Sequence, residues 1–182
     1  MKAKKKDIRA LSREEIREFF QNTGDKAFRG NQVYEWLWSK GAHHFDDMTN
    51  ISKETRELLS EHFVINHIEV DSIQKSKDGT IKNAVKLFDG LIVESVLIPT
   101  PSRTTACVST QVGCSLDCKF CATARLKKMR NLNPDEIYDQ VKAIDQESKL
   151  YHSRPLSNIV FMGMGEPLMN YNNVLKSIDK IT

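Results

Sequence analysis

Apolar and polar positions follow two different periods along this chain, and the change of period divides it. In its first third the apolar residues recur at helical spacing. Ser12, followed three places later by Glu15, reads as a capping box opening a helix that carries Ile16, Phe19 and Phe20. A second helix is expected at about Gly30 to Lys40, presenting Val33, Trp36 and Leu37 and stopping at Gly41. A third begins near Ser52 and carries Leu58, Leu59 and Phe63 on neighbouring turns. From residue 67 the period shortens. Three strand-like runs fill residues 67–98, parted by Asp78-Gly79 and Asp89-Gly90, pairs typical of hairpin turns. The last run, LIVESVLI, places Ile92, Glu94, Val96 and Ile98 on one face.

Beyond the Pro99–Pro101 connector the pattern becomes β/α. Thr104 to Val112 reads as a strand, and a cysteine-bearing loop follows it. Asn133 caps a helix with Pro134 at its first position, Asp135 and Glu136 in its first turn, and Ile137, Val141 and Ile144 along one face. A buried-type strand, NIVFM from Asn158, runs into GMGEP, and Asn172 or Asn173 caps a final helix carrying Val174, Leu175, Ile178 and Ile181. The expected architecture is α/β: a helical domain over residues 1–66, a small antiparallel β segment over 67–100, and two β-loop-α units over 101–182. Parallel strands need helices on their faces and neighbours at their edges. Two units leave both edges open, so a truncated protein is expected; a two-strand domain paired with another chain is the alternative.

Composition narrows the class. The 182 residues are 28% charged and 40% apolar, as in a soluble globular chain. The longest apolar stretch, Leu91 to Ile98, is broken by Glu94 and is too short to span a bilayer. The basic N-terminus lacks the apolar region of a signal peptide. Net charge is only +3, but Lys119, Arg125, Lys127, Lys128 and Arg130 form one basic patch and Lys2, Lys4, Lys5 and Lys6 another. Such patches favour polyanions, with a solvated loop and a ragged terminus as the plain alternative. The helical module's aromatics read as core. The alternative is a nucleic-acid contact surface using Arg29, Lys40, His43 and His44.

The chain's four cysteines are Cys107 and, in GCSLDCKFCATA, Cys114, Cys118 and Cys121. Clustered thiols without export suggest a metal or redox site in a reducing compartment. Structural zinc sites usually show two CxxC pairs, or CxxC with paired histidines. Here no second pair exists, and Cys107 belongs to the preceding strand. Three close thiolates suit three corners of a cubane cluster whose remaining iron stays open; zinc held by all four cysteines is the competing arrangement. Glu94 is the other candidate. On a buried face desolvation would raise its pKa and make it a proton acceptor; on an edge strand it simply faces solvent.

A CxxxCxxC loop after a first barrel strand, followed by GMGEP at Gly163 to Pro167, resembles the radical S-adenosylmethionine superfamily. Its barrels place active sites at the C-terminal ends of the strands. CVSTQVGCSLDCKFCATA, the RNL at Arg130 to Leu132, NIVFMGMGEPLMNYNNV, and upstream FRGNQVYEWLWSKG and FDDMTNIS resemble the RlmN branch, over nearly the whole chain. The resemblance implies a helical accessory domain and the first part of a (β/α)6 TIM-like barrel. It also implies methylation of carbon 2 of an adenosine in 23S rRNA and in tRNA; the sister Cfr branch methylates carbon 8. Cys114, Cys118 and Cys121 would ligate a [4Fe-4S] cluster, and Gly165 and Glu166 would hold S-adenosylmethionine. Glu94 falls at the family's proton acceptor. Cys107 matches the cysteine that resolves a protein–RNA intermediate through a transient disulfide, with a buried structural cysteine as its alternative. A cytoplasmic monomer served by a flavodoxin-type reductant is implied. The family's methyl-carrying cysteine lies near its C-terminus, and no cysteine follows Cys121, so this chain alone is expected to be inactive.

Overall fold

The computed structural model describes residues 5–182, so Lys2 and Lys4 of the N-terminal basic cluster lie outside the described residues. The chain forms two units that meet at Asn66 and His67 in sequence.

The first unit begins with β1, Lys6–Asp7. Its helix α1, Arg13–Asn22, opens on the expected capping box: Glu15 N donates to Ser12 Oγ at 3.1 Å, and Ser12 N donates to the Glu15 carboxylate at 2.6 Å. Helix α2 spans Phe28–Trp38, starting earlier than the periodicity suggests. Gly30 lies inside it, where an added Cβ would stand 2.7 Å from the Arg17 backbone, so the glycine lets α1 and α2 touch. Trp38, not Trp36, joins Val33 and Leu37 in the core. Helix α3, Lys53–His62, is capped by Ser52. Phe63 leaves it to begin β2, Phe63–Val64, which pairs in parallel with β1.

The second unit carries a five-stranded sheet. Strands β3 (Glu69–Lys75), β4 (Ile81–Lys86) and β5 (Ile92–Pro99) form an antiparallel meander. Its two turns use Gly79 at φ +87° and Gly90 at φ +83°, the left-handed conformation that tight hairpins demand. Strand β6, Thr104–Cys107, pairs antiparallel with β5. The short β7 (Gln111–Val112) and β8 (Arg130–Asn131) pair with each other in a separate ribbon. Helix α4, Pro134–His152, crosses over to β9, Asn158–Val160, which lies parallel to β6, and α5, Tyr171–Ile181, follows. The sheet order is β3-β4-β5-β6-β9, so the β6–α4 and β9–α5 units stand next to each other as expected. One border strand, β3, is wholly exposed and bears a register shift between Val70 and Ser72. The other border, β9, has β6 as its only strand partner among the described residues.

One face of the sheet packs on α4. Val93, Leu97 and Ala106 meet Ile137, Val141 and Ile144 in a dry core, with Val85 and Ile81 of β4 extending it. Burying each such side chain contributes about 1.5–3 kcal/mol. The sequence left open which face of LIVESVLI is buried. Val93, Ser95 and Leu97 point inward, whereas Ile92 and Glu94 are exposed. The buried position considered for Glu94 is therefore not observed. Nor is it on an edge, since β5 runs between β4 and β6.

Three further expectations change. The strand expected over Thr104 to Val112 breaks after Cys107, because Ser109 turns its backbone to the Gln140 side chain. Strand β9 keeps only three residues. Helix α5 starts after Asn170 rather than at Asn172 or Asn173, behind a 3-10 turn over Pro167–Asn170, and Leu175 on it is exposed.

Candidate metal centre

The antiparallel β7–β8 ribbon closes a loop over residues 113–129 that carries Cys114, Cys118 and Cys121. Its neck is tight. Gly113 adopts φ +72°, and a Cβ there would lie 2.3 Å from the Lys127 carbonyl oxygen. Met129 N donates to Val112 O at 2.9 Å, and Cys114 forms a bridge with Lys127. All four cysteines are free and partly exposed.

The donor set fits an iron–sulfur cluster. Thiolate sulfurs that hold such clusters accept backbone N–H groups, which tune the potential. Leu116 N points at Cys114 Sγ at 3.4 Å, and the N–H groups of Ala124 and Thr123 hold the Cys121 thiol below its usual pKa. Among the described residues no three His, Cys, Asp or Glu side chains are grouped around a single ion position. In a cubane each thiolate binds its own iron.

Cys107 ends β6, opposite Val96 of β5 and Val160 of β9. Burial raises its thiol pKa, opposed by the Met162 backbone N–H. Glu94 lies two residues from Val96 on the same face of β5, and Lys82 Nζ donates to its Oε1 at 3.0 Å. Ser109 Oγ donates to the Glu94 carbonyl, tying this part of β5 to the segment after Cys107.

The GMGEP segment leaves the end of β9. Because β6 and β9 are parallel neighbours, it emerges on the same side of the sheet as the chain leading to the cysteine loop. Gly163 and Gly165 let it approach: a Cβ on Gly163 would meet Ser109 N at 2.8 Å, and one on Gly165, at φ +94°, would meet Gln111 Cβ at 2.5 Å. Glu166 N donates to Gln111 Oε1, and Leu168 N donates to Glu166 Oε1, both at 3.0 Å. Ser115 Oγ reaches Met169 Sδ at 3.4 Å, so the cysteine loop touches the 3-10 turn that follows GMGEP. Phe120 is 94% exposed, Met162 79% and Leu168 74%.

Buried and half-buried polar side chains hold this arrangement. Ser109, Gln111, Gln140, Asn131 and Asn170 link the β6–β7 segment to α4, β8 and the GMGEP turn. Their one signal in the sequence is Ser109-Thr110-Gln111, polar residues inside a strand-like run.

The basic patch shrinks. Arg130 is engaged by both oxygens of Glu136, at 2.7 and 2.8 Å, and by Asp89 at 2.7 Å; Lys119 pairs with Asp117. Arg125, Lys127 and Lys128 remain for polyanions. In the first unit Lys40 Nζ lies 4.0 Å from the Trp36 ring centroid and Arg29 stacks on Phe28. His43 and His44 line a cavity of about 540 Å³ with Lys5, Lys53 and Arg56.

Comparison with known proteins follows the same division. The profile of the ribosomal RNA large subunit methyltransferase N-terminal domain matches residues 6–65, and that of the radical SAM superfamily matches residues 108–180. The "Probable dual-specificity RNA methyltransferase RlmN" of Flavobacterium psychrophilum is 77% identical over 182 residues, all of this chain and 52% of that protein. The "Dual-specificity RNA methyltransferase RlmN" of Desulfotalea psychrophila is 41% identical over 97% of this chain and 50% of its own length. A radical SAM methyltransferase from Sphaerobacter thermophilus superposes with a TM-score of 0.82 at 34% identity, over 95% of this chain and 51% of that one. The chain spans about half the length of the curated relatives it matches. With both profiles in order and relatives aligned along its whole length, the chain belongs to the RlmN family of the radical SAM superfamily and corresponds to about half of its members' length.

Proposed function

We propose that this chain supplies the cluster-binding and first cofactor-binding elements of a radical S-adenosylmethionine methyltransferase acting on carbon 2 of adenosine in 23S rRNA and tRNA. One observation carries the reading. The CxxxCxxC loop and the GMGEP turn emerge on the same side of two adjacent parallel strands, and Gln111, two residues before the loop, accepts a hydrogen bond from Glu166 N of the turn, which suits a ligand held between them. Carbon 2 of adenine is a poor nucleophile, and the chemistry a bound cluster supplies is one-electron reduction of the cofactor sulfonium.

The chain's own residues then have separable tasks. Cys114, Cys118 and Cys121 hold the cluster. Gly165 leaves room for the cofactor's amino end, and the Glu166 carboxylate, with one oxygen on Leu168 N, keeps the other for that ammonium. Cys107 and Glu94 share the open face of the sheet. Cys107, whose thiol stays protonated at neutral pH, serves as the resolving thiol, and Glu94, poised by Lys82, accepts the proton. The cysteine that carries the methyl group in the resembled family has no counterpart among these 182 residues. The same reading makes it a cytoplasmic monomer supplied by a flavodoxin-type reductant, with residues 1–66 as an accessory RNA-contacting domain, 67–100 as the β segment and 101–182 as the barrel portion. Among the described residues no helix is long and apolar enough to cross a membrane.

Anaerobic reconstitution tests this. Brown absorbance with about four irons per chain, lost when any of the three loop cysteines becomes serine, is the expected result. A colourless protein binding one zinc through four thiols would overturn it.

A further inference from the structure

Gln111 is fully buried, yet its backbone N–H and both ends of its side-chain amide are used, and each of these partners lies in one of the two motif loops or at their base. Its backbone N–H and its Oε1 meet the GMGEP turn, at Met164 O (3.2 Å) and Glu166 N (3.0 Å). Its Nε2 donates to Asn131 Oδ1 at 2.7 Å, across the neck of the cysteine loop. Asn131 in turn reaches Met169 O at 3.3 Å. Gly165 presses on the Gln111 stem so closely that no side chain fits between them. A buried amide with one lost partner costs free energy, so these bonds form or break as a set.

We infer that Gln111 is a positioning residue that fixes the Gly165–Glu166 turn against the cysteine loop and so sets the span of the cofactor site. This rests on the function proposed above. A ligand whose amino end lies between the cluster and the Glu166 turn tolerates little change in their separation, since a displacement of about 1 Å costs on the order of 100-fold. A buried glutamine that merely satisfied its neighbours would stabilise the fold without coupling these two segments.

The test uses the full-length encoded protein in two states. In the metal-free state, Gln111→Met keeps the length and removes both side-chain bonds. Amide hydrogen exchange should accelerate about tenfold at Glu166 and within residues 113–129 together, with Ile137 to Ile144 of α4 unchanged. In the reconstituted state, iron content should match the parent protein while S-adenosylmethionine binds at least about tenfold more weakly. Gln111→Glu, which keeps the acceptor for Glu166 N, should restore protection at Glu166 but not in the loop. Asn131→Ala opens the same link from the loop side and serves if the Gln111 variant does not fold. Unchanged exchange, acceleration in only one segment, or acceleration spread through α4 would each overturn the inference, as would unaltered cofactor binding in a reconstituted variant. A parent protein that takes up no cluster would instead defeat the proposed function, and exchange in the metal-free state would still decide the coupling.

Discussion

Gly165 and Gly90 both adopt left-handed backbone, at φ +94° and +83°, but only Gly165 has a neighbour within reach of a Cβ. The pair separates two costs. Gly90→Ala should lose only the conformational part, about 1 kcal/mol. Gly165→Ala adds a clash with Gln111 and should lose about 2–4 kcal/mol, read as a shift in urea midpoint at unchanged slope. Cys107 gives a second residue-level expectation. Its pKa is raised by burial, so at a given pH less of it is thiolate than of a free cysteine. Its alkylation rate, followed by mass spectrometry from pH 7 to 10, should rise along a curve displaced to higher pH than that of a cysteine-containing peptide. Both glycines were visible in the sequence, but only the structure shows which of them has Gln111 behind it.

At the scale of elements, local chemistry was legible and tertiary choices were not. The Ser12–Glu15 box, the two Asp-Gly turns and the Asn133-Pro134 helix start appear where short-range pattern placed them. The break after Cys107 was hidden, because it depends on Gln140, thirty-one positions away in sequence. The cap of α5 was misplaced for a related reason: Asn170 and Asn173 both send their amides to Leu132 O, which no local window contains. Alternation divided β5 into two faces, but only α4 decides which is covered. That packing buries the Glu147 carboxylate against β4. Glu147 of α4 accepts from Asn83 Nδ2 at 2.8 Å, and burial raises its pKa against the opposing effects of Asn83 and Lys75. A raised folded-state pKa favours folding in the protonated form. The contribution is complete below the unfolded value of about 4.3 and is lost as pH rises through the folded value. Glu147→Gln should therefore gain on the parent protein between pH 4 and 7, by about 1 kcal/mol in urea denaturation.

For the whole molecule, charge engagement sets the expected behaviour toward RNA. If the loop patch contacts phosphates, Lys127→Gln should reduce the slope of log affinity against log salt by about 0.7 to 1. Arg130→Gln should leave the slope unchanged, because Glu136 and Asp89 already neutralise Arg130, although the variant loses stability. Filter binding from 50 to 300 mM salt reads both. The sequence showed five like charges; the structure shows which of them remain available.

The two borders of the large sheet are unlike, and this has a consequence for what the sheet can accept. Strand β3 is studded with Glu69, Asp71 and Lys75 and is bent by its irregularity, features that repel further backbone. Strand β9 reads Asn-Ile-Val and carries no charge to turn a newcomer away. Enlargement of this architecture is thus one-directional. A strand added at that border would pair with β9 beside Val160, with β9 between it and Cys107, and would extend the sheet away from the charged meander.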